Sequence, residues 1–204
     1  MMDDYLIKYI NLSLKVSTME QKTKKALDQF LSNYILLPIN PKVIVLEGIS
    51  GSGKTTYISN HFLKPNNIVI SEIRINPGKF SYTRQLNMLS LNIAYEYLAI
   101  ESAKNPLIRK VVFDRNFWST LAYTYSYSEP TFIRLLNHLS GLRFLWRPKY
   151  VYMKKDISDV MACKREPVII RDPVLGNMDR VARIIEFYEY IFSPGKLKAN
   201  RTLK

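Results

Sequence analysis

Residues 43–56, Val43-Ile44-Val45-Leu46-Glu47-Gly48-Ile49-Ser50-Gly51-Ser52-Gly53-Lys54-Thr55-Thr56, decide how the rest of the chain is read. The first four form an aliphatic run too short for a helix and apolar on both faces, which predicts a buried parallel strand. Gly48 to Thr55 then satisfy G-x-x-x-x-G-K-[ST] in full. Glycines let the backbone wrap so that successive N–H groups point inward at phosphate oxygens, and the following helix offers its positive end. Lys54 is set to reach the β- and γ-phosphates, and the Thr55 hydroxyl to ligate Mg2+. A strand before and a helical stretch after are the context this loop requires. Gly48, Ser50, Gly51, Ser52, Gly53, Lys54, Thr55 and Thr56 are therefore the candidate triphosphate site, with ATP and Mg2+ as cofactors.

Working outward, Pro38 and Pro41 punctuate the chain just before this strand. Three similar runs follow it: Ile68-Val69-Ile70, Val111-Val112-Phe113 and Tyr150-Val151-Tyr152-Met153. Helical spacing is clearest at Tyr82–Ser102, Phe117–Tyr125 and Met178–Phe192, the last ending before Pro194-Gly195. Strands alternating with helices predict an α/β three-layer fold, a parallel sheet of about four or five strands with right-handed crossovers. Residues 1–37 also show helical spacing, with a break and N-cap at Ser17-Thr18. Residues 1–40 are thus expected to be a helical extension, and 41–204 the catalytic domain.

The 204 residues suffice for one α/β domain and a small appendage, and 47% apolar against 23% charged residues exclude global disorder. One cysteine, Cys163, and two histidines leave no disulfide framework and make a zinc site of the usual ligands improbable. Lys and Arg number 30 against 17 Asp and Glu, a net +13. The excess builds along the chain: residues 1–41 carry 5 basic and 4 acidic groups, 42–141 carry 11 and 6, and 142–204 carry 14 and 7. An anionic partner is therefore expected near the C-terminal third. No run approaches the ~20 apolar residues of a membrane span. Neither a secretory signal nor a transit peptide is legible at the N-terminus, so a cytoplasmic location is expected.

A second signature, Val111-Val112-Phe113-Asp114-Arg115, puts an acid and an arginine at the carboxyl end of a buried strand, the edge where open α/β sheets hold ligands. The acid suits Mg2+ or its water shell, and the arginine suits a transferring or acceptor phosphate. Residues 46–56, LEGISGSGKTT, resemble the F-E-G-x-D-x-x-G-K-[ST]-T of thymidylate kinases, and residues 114–123, DRNFWSTLAY, resemble their D-R-Y-x-x-S-x-x-A-Y. Pro148–Asp156 resembles the fourth strand and the acid that opens the next helix. Over residues 42–192 the chain thus looks like a thymidylate kinase or a related deoxynucleoside kinase of the P-loop fold.

That resemblance implies transfer of the ATP γ-phosphoryl to a nucleoside monophosphate, dTMP first. It implies Asp114 with Thr55 toward the metal, and Arg115 and Arg74 on the acceptor phosphate. Ser119, Tyr123 and Tyr95 would line the acceptor site. A lid around residues 160–176 would supply Arg165 or Arg171 to the triphosphate, because the phosphate loop itself has no arginine. A homodimer is expected. Ser50 stands where the family has a carboxylate, Arg74-Ile75-Asn76-Pro77-Gly78 matches its R-E-P-G only loosely, and polar, basic Lys196–Lys204 leaves no sign of its fifth strand. The N-terminal helices are expected to dock on the sheet in place of that missing element. The alternative acceptor is a deoxynucleoside, with Glu72, just past Ile68–Ile70, as the base a hydroxyl needs. A basic nucleic-acid-binding NTPase is the third possibility. It is disfavoured because aromatic residues are not interleaved with the basic ones.

Overall fold

The structure, a computed structural model, describes residues 19–73, 80–162, 173–197 and 201–203. Arg74, Arg165, Arg171 and Cys163 lie outside these residues, as does most of the expected lid.

Helix α1 (Gln21–Tyr34) leads into β1 (Ile39–Glu47), the phosphate loop and α2 (Lys54–His61). Then come β2 (Asn67–Ile70), the long α3 (Tyr82–Ala103), β3 (Lys110–Asp114), α4 (Phe117–Tyr127) and α5 (Glu129–Ser140). The chain continues with β4 (Arg147–Met153), α6 (Ile157–Ala162), a 3-10 turn at Pro173–Gly176, α7 (Met178–Ile191) and β5 (Arg201–Leu203). The five strands form one sheet in the order β2-β3-β1-β4-β5, every pairing parallel. β1 is central, so the loop that follows it opens at the middle of the sheet's carboxyl edge.

Period-two alternation decides which face each strand residue fills. Val43, Val45, Val111, Phe113, Tyr150 and Tyr152 join the larger core. Ile44, Leu46, Val112 and Val151 point the other way, onto Ile58 of α2. Two expectations are corrected here. A fifth strand does exist: Arg201–Leu203 pairs with Val151–Met153, a backbone pairing at the sheet edge that needs no apolar side chains to signal it. Helix α1 does dock, but not in that strand's place. Leu27, Phe30, Leu31 and Tyr34 enter the larger core beside α4, where the Phe30 and Tyr34 rings lie 5.7 and 5.8 Å from that of Trp118. The Thr23 hydroxyl also bonds to Glu129 at the start of α5. Helix α5 drew no expectation. It is built by the Ser128 cap, a Pro in the first turn and the buried stripe Phe132, Leu135, Leu136, Leu139.

A chain beginning at Asn40 should therefore aggregate or melt far lower than the full chain. Four core side chains worth about 1.5–3 kcal/mol each in burial would be lost, comparable with a typical domain's whole stability. Size-exclusion chromatography and a thermal melt would check this, and a soluble, equally stable truncation would make α1 an independent arm.

Candidate active site

The sheet's carboxyl edge gathers residues from four elements. After Glu47, β1 gives way to Gly48 at φ 142°, and Gly51 and Gly53 follow at φ 79° and 85°, a left-handed run that suits glycine. At Gly48 a side chain is excluded outright, since a Cβ there would sit 2.6 Å from the Met153 carbonyl oxygen of β4. The bend of the loop thus follows from close packing of Gly48 against β4, and a glycine-rich turn of this kind is the backbone arrangement that suits an anion.

Lys54 opens α2, but its ammonium is folded under the loop, where Nζ donates to the Gly48 and Ile49 carbonyls at 2.9 Å each and to Ser52 Oγ at 3.2 Å. The residue is only 5% exposed. Burial, followed by the neighbouring Arg115 cation, lowers its pKa to about 7, against the pull of Asp114, Glu47 and Glu72. In the unfolded chain it is an ordinary lysine near 10.5. Between these two values the unfolded state binds more protons, so this group makes stability rise with pH across that window.

A consequence for ligand binding follows. A bound triphosphate favours the ammonium, so ATP binding at pH 8 should take up protons that binding at pH 6 does not. Calorimetric titration in buffers of different ionisation enthalpy would measure this uptake, and Lys54→Arg, ionised throughout, should abolish it.

Across the loop mouth, Thr55 Oγ1 donates to Asp114 Oδ2 at 2.9 Å, which brings together the two residues expected at the metal. Asp114 Oδ1 is buried with no hydrogen-bond partner among the described residues. A threonine hydroxyl beside a carboxylate with an unpartnered oxygen fits Mg2+, which takes one or two protein oxygens and fills its remaining positions with water and phosphate. No cluster of three or more His, Cys, Asp or Glu able to hold a metal occurs among the described residues.

Arg115 follows at φ 74°, a left-handed conformation rare for a non-glycine residue. Its Nη1 contacts Glu72 Oε1 at 2.7 Å and the Tyr123 hydroxyl at 3.2 Å, and its Nη2 donates to Ser50 Oγ at 2.9 Å. Ser50, which replaces the family's carboxylate, also lies 3.1 Å from the Tyr123 hydroxyl. Glu72, Ser50, Arg115 and Tyr123 are thus one cluster. Ser119 is turned away from it, with Oγ donating to Glu47 Oε2 at 2.7 Å inside the core. Tyr95 is 39% exposed and shares the outward side of α3 with Leu91 and Leu98, apart from the cluster.

The residues that sequence reasoning missed lie beneath the cluster. Glu47, fully buried, accepts from the Asn116 backbone N–H at 2.9 Å and from the Tyr188 hydroxyl of α7 at 2.9 Å, as well as from Ser119. Burial raises its pKa, opposed by these bonds, first among them that from Ser119. Lys155, beyond β4, donates to the Gly51 carbonyl at 3.0 Å and adds a second cation to the loop rim. Glu47 was visible inside the F-E-G-like motif, whereas the partners of Tyr188 and Lys155 are too distant in sequence to be inferred.

No protein-family model matches the sequence, and neither does any curated protein. Solved structures do. A thymidylate kinase from Ehrlichia chaffeensis is similar over 81% of this chain and 90% of its own, with a TM-score of 0.51 and 17% identity. A deoxyadenosine kinase from M. mycoides, solved with bound dATP, is similar over 79% and 90%, with a TM-score of 0.50 and 13% identity. At these identities the likeness is one of fold: the chain has the P-loop α/β fold of thymidylate and deoxynucleoside kinases. Among the described residues no helix is long and apolar enough to cross a membrane.

Proposed function

We propose that the protein is an ATP-dependent phosphotransferase acting on a nucleoside-type acceptor, with dTMP the first acceptor by sequence resemblance. The convergence of a glycine-lined phosphate loop, the Thr55–Asp114 pair and the Arg115 guanidinium at one sheet edge carries this reading. Lys54, whose ammonium now holds the Gly48 and Ile49 carbonyls, would meet the β- and γ-phosphates. Thr55 and Asp114 would hold Mg2+, which when bound neutralises charge between those phosphates. By the sequence resemblance, Arg115 and Arg74 would meet the acceptor, and Arg165 or Arg171 would serve the γ-phosphoryl, where a planar guanidinium stabilises spreading charge. With a phosphate acceptor no base is needed, so catalysis is positioning and charge neutralisation.

A deoxynucleoside acceptor is favoured by one specific observation, the 2.7 Å pairing of Glu72 with Arg115. An arginine already matched by a carboxylate is a weaker anion site, while a carboxylate held by an arginine beside the phosphate loop is a well-oriented base for a hydroxyl. ADP release with ATP and Mg2+, measured over a panel of nucleosides and nucleoside monophosphates, tests both acceptors. No turnover on any member would overturn the kinase assignment.

A further inference from the structure

The left-handed backbone of Arg115 must be held by its surroundings, because a non-glycine residue leaves that region when it can. Its own N–H donates to the Leu46 carbonyl at 3.0 Å. Its guanidinium is held by Glu72, Tyr123 and Ser50, and a further hold acts on the next residue. The Asn116 backbone N–H goes to Glu47, and its Oδ1 accepts from the Trp118 N–H at 3.1 Å to cap α4. Its Nδ2 faces both Glu96 Oε2 at 2.9 Å and the Tyr150 hydroxyl at 3.3 Å.

Counting protons carries this network further. The Tyr150 oxygen also accepts from Trp118 Nε1 at 3.1 Å, so both of its lone pairs are taken. Its own hydrogen is then directed to the Tyr34 hydroxyl, 2.7 Å away on α1. The Tyr34 hydroxyl is thus the acceptor that takes the Tyr150 hydrogen. Glu96 Oε2 accepts from the same Asn116 amide, and its Oε1 is buried with no hydrogen-bond partner among the described residues. Tyr34, Glu96, Asn116 and Tyr150 are all at most 3% exposed, so no bulk water substitutes for a missing member.

We propose that Tyr34, on the helix preceding the first strand, is a positioning residue for Arg115, acting through Tyr150 and Asn116. The proposal rests on the kinase reading above and gives the N-terminal helix a part in the site. Without the Tyr34 hydroxyl, the Tyr150 hydrogen loses its acceptor, and the Asn116 side chain loses the fixed orientation of one of the oxygens that pin it. Arg115 then relaxes, and its guanidinium shifts against Glu72 and Ser50, on the acceptor side. Of the phosphate-loop residues, Ser50 meets Arg115 through its hydroxyl, while Tyr34, Tyr150, Glu96 and Asn116 hydrogen-bond among themselves and to core groups, not to the loop.

Tyr34→Phe keeps the ring packing and removes only the oxygen. With ATP, and with dTMP or thymidine as acceptor, the variant should keep its ATP KM within about twofold and lose about tenfold in acceptor kcat/KM, the size of one buried hydrogen bond. Hydrogen exchange at the Arg115 and Asn116 amides, read by NMR without substrate, should quicken, while the melting temperature moves by only a few degrees. Asn116→Ala should show the same loss, and the double variant should not add to it. Unchanged exchange at those amides overturns the proposal, and so does an equal loss toward ATP and acceptor with a collapsed melting temperature. If the wild-type protein turns over neither acceptor, the kinase reading fails and the exchange measurement alone decides the coupling.

Discussion

Lys54→Ala should cut phosphoryl transfer by at least about 10²–10³-fold, the scale on which one preorganised charge stabiliser is lost, while the protein stays folded. Activity falls because the loop's remaining donors are backbone N–H groups, which orient phosphates but carry no full charge. The fold survives because two effects oppose each other. The variant loses three hydrogen bonds inside the loop, leaving the Gly48 and Ile49 carbonyls without that donor. It also loses an ammonium whose pKa burial has lowered to about 7, a group that costs stability at neutral pH. Gly51, Gly53 and Thr55 around it are exposed, so water can reach the vacated space. ADP release and a circular-dichroism melt would check both halves. A variant keeping a tenth of wild-type activity would sink the phosphate-loop assignment.

The same lysine marks where sequence reasoning stops. The motif named Lys54 and its neighbours, because the spacing of two glycines, a lysine and a threonine is itself the chemistry. It could not show whether the side chain faces solvent or folds under its own loop, which depends on the packing of Gly48 against β4. Strands β1 to β4 were legible because β-branched runs carry their burial in their composition. β5 was not, since Arg201-Thr202-Leu203 joins by backbone pairing to a strand some fifty residues earlier. Asp114 and Arg115 were legible by their place at a strand end. The support beneath them was not, because Glu47, Glu96, Asn116, Tyr150 and Tyr188 come from five elements, and only the fold makes them neighbours.

The Glu72–Arg115 pair makes Glu72→Gln the variant that separates the two acceptors. On a nucleoside, a hydroxyl must lose its proton as it attacks, and Glu72 is the carboxylate at hand, held by a guanidinium 2.7 Å away. The amide cannot take that proton, so kcat should fall about 10²–10⁴-fold with little change in acceptor KM. On a monophosphate the sign reverses. The attacking oxygen is already anionic, kcat should hold, and acceptor KM should drop, because a neutral amide competes less with the acceptor for Arg115 and removes a like charge beside it. Arg74→Ala would then raise acceptor KM by the loss of a charge-assisted contact of about 1.5–3 kcal/mol. Folding does not confuse the result: the Glu72 side chain is 23% exposed, and glutamine still offers Oε1 to an arginine side chain 7% exposed, so the melting temperature should stay near that of the wild type. Steady-state kinetics of Glu72→Gln on thymidine and on dTMP, side by side, decide it. A collapsed kcat on thymidine would make Glu72 the base of a nucleoside kinase. An undiminished kcat with a lowered KM on dTMP would make Arg115 the anion site of a monophosphate kinase.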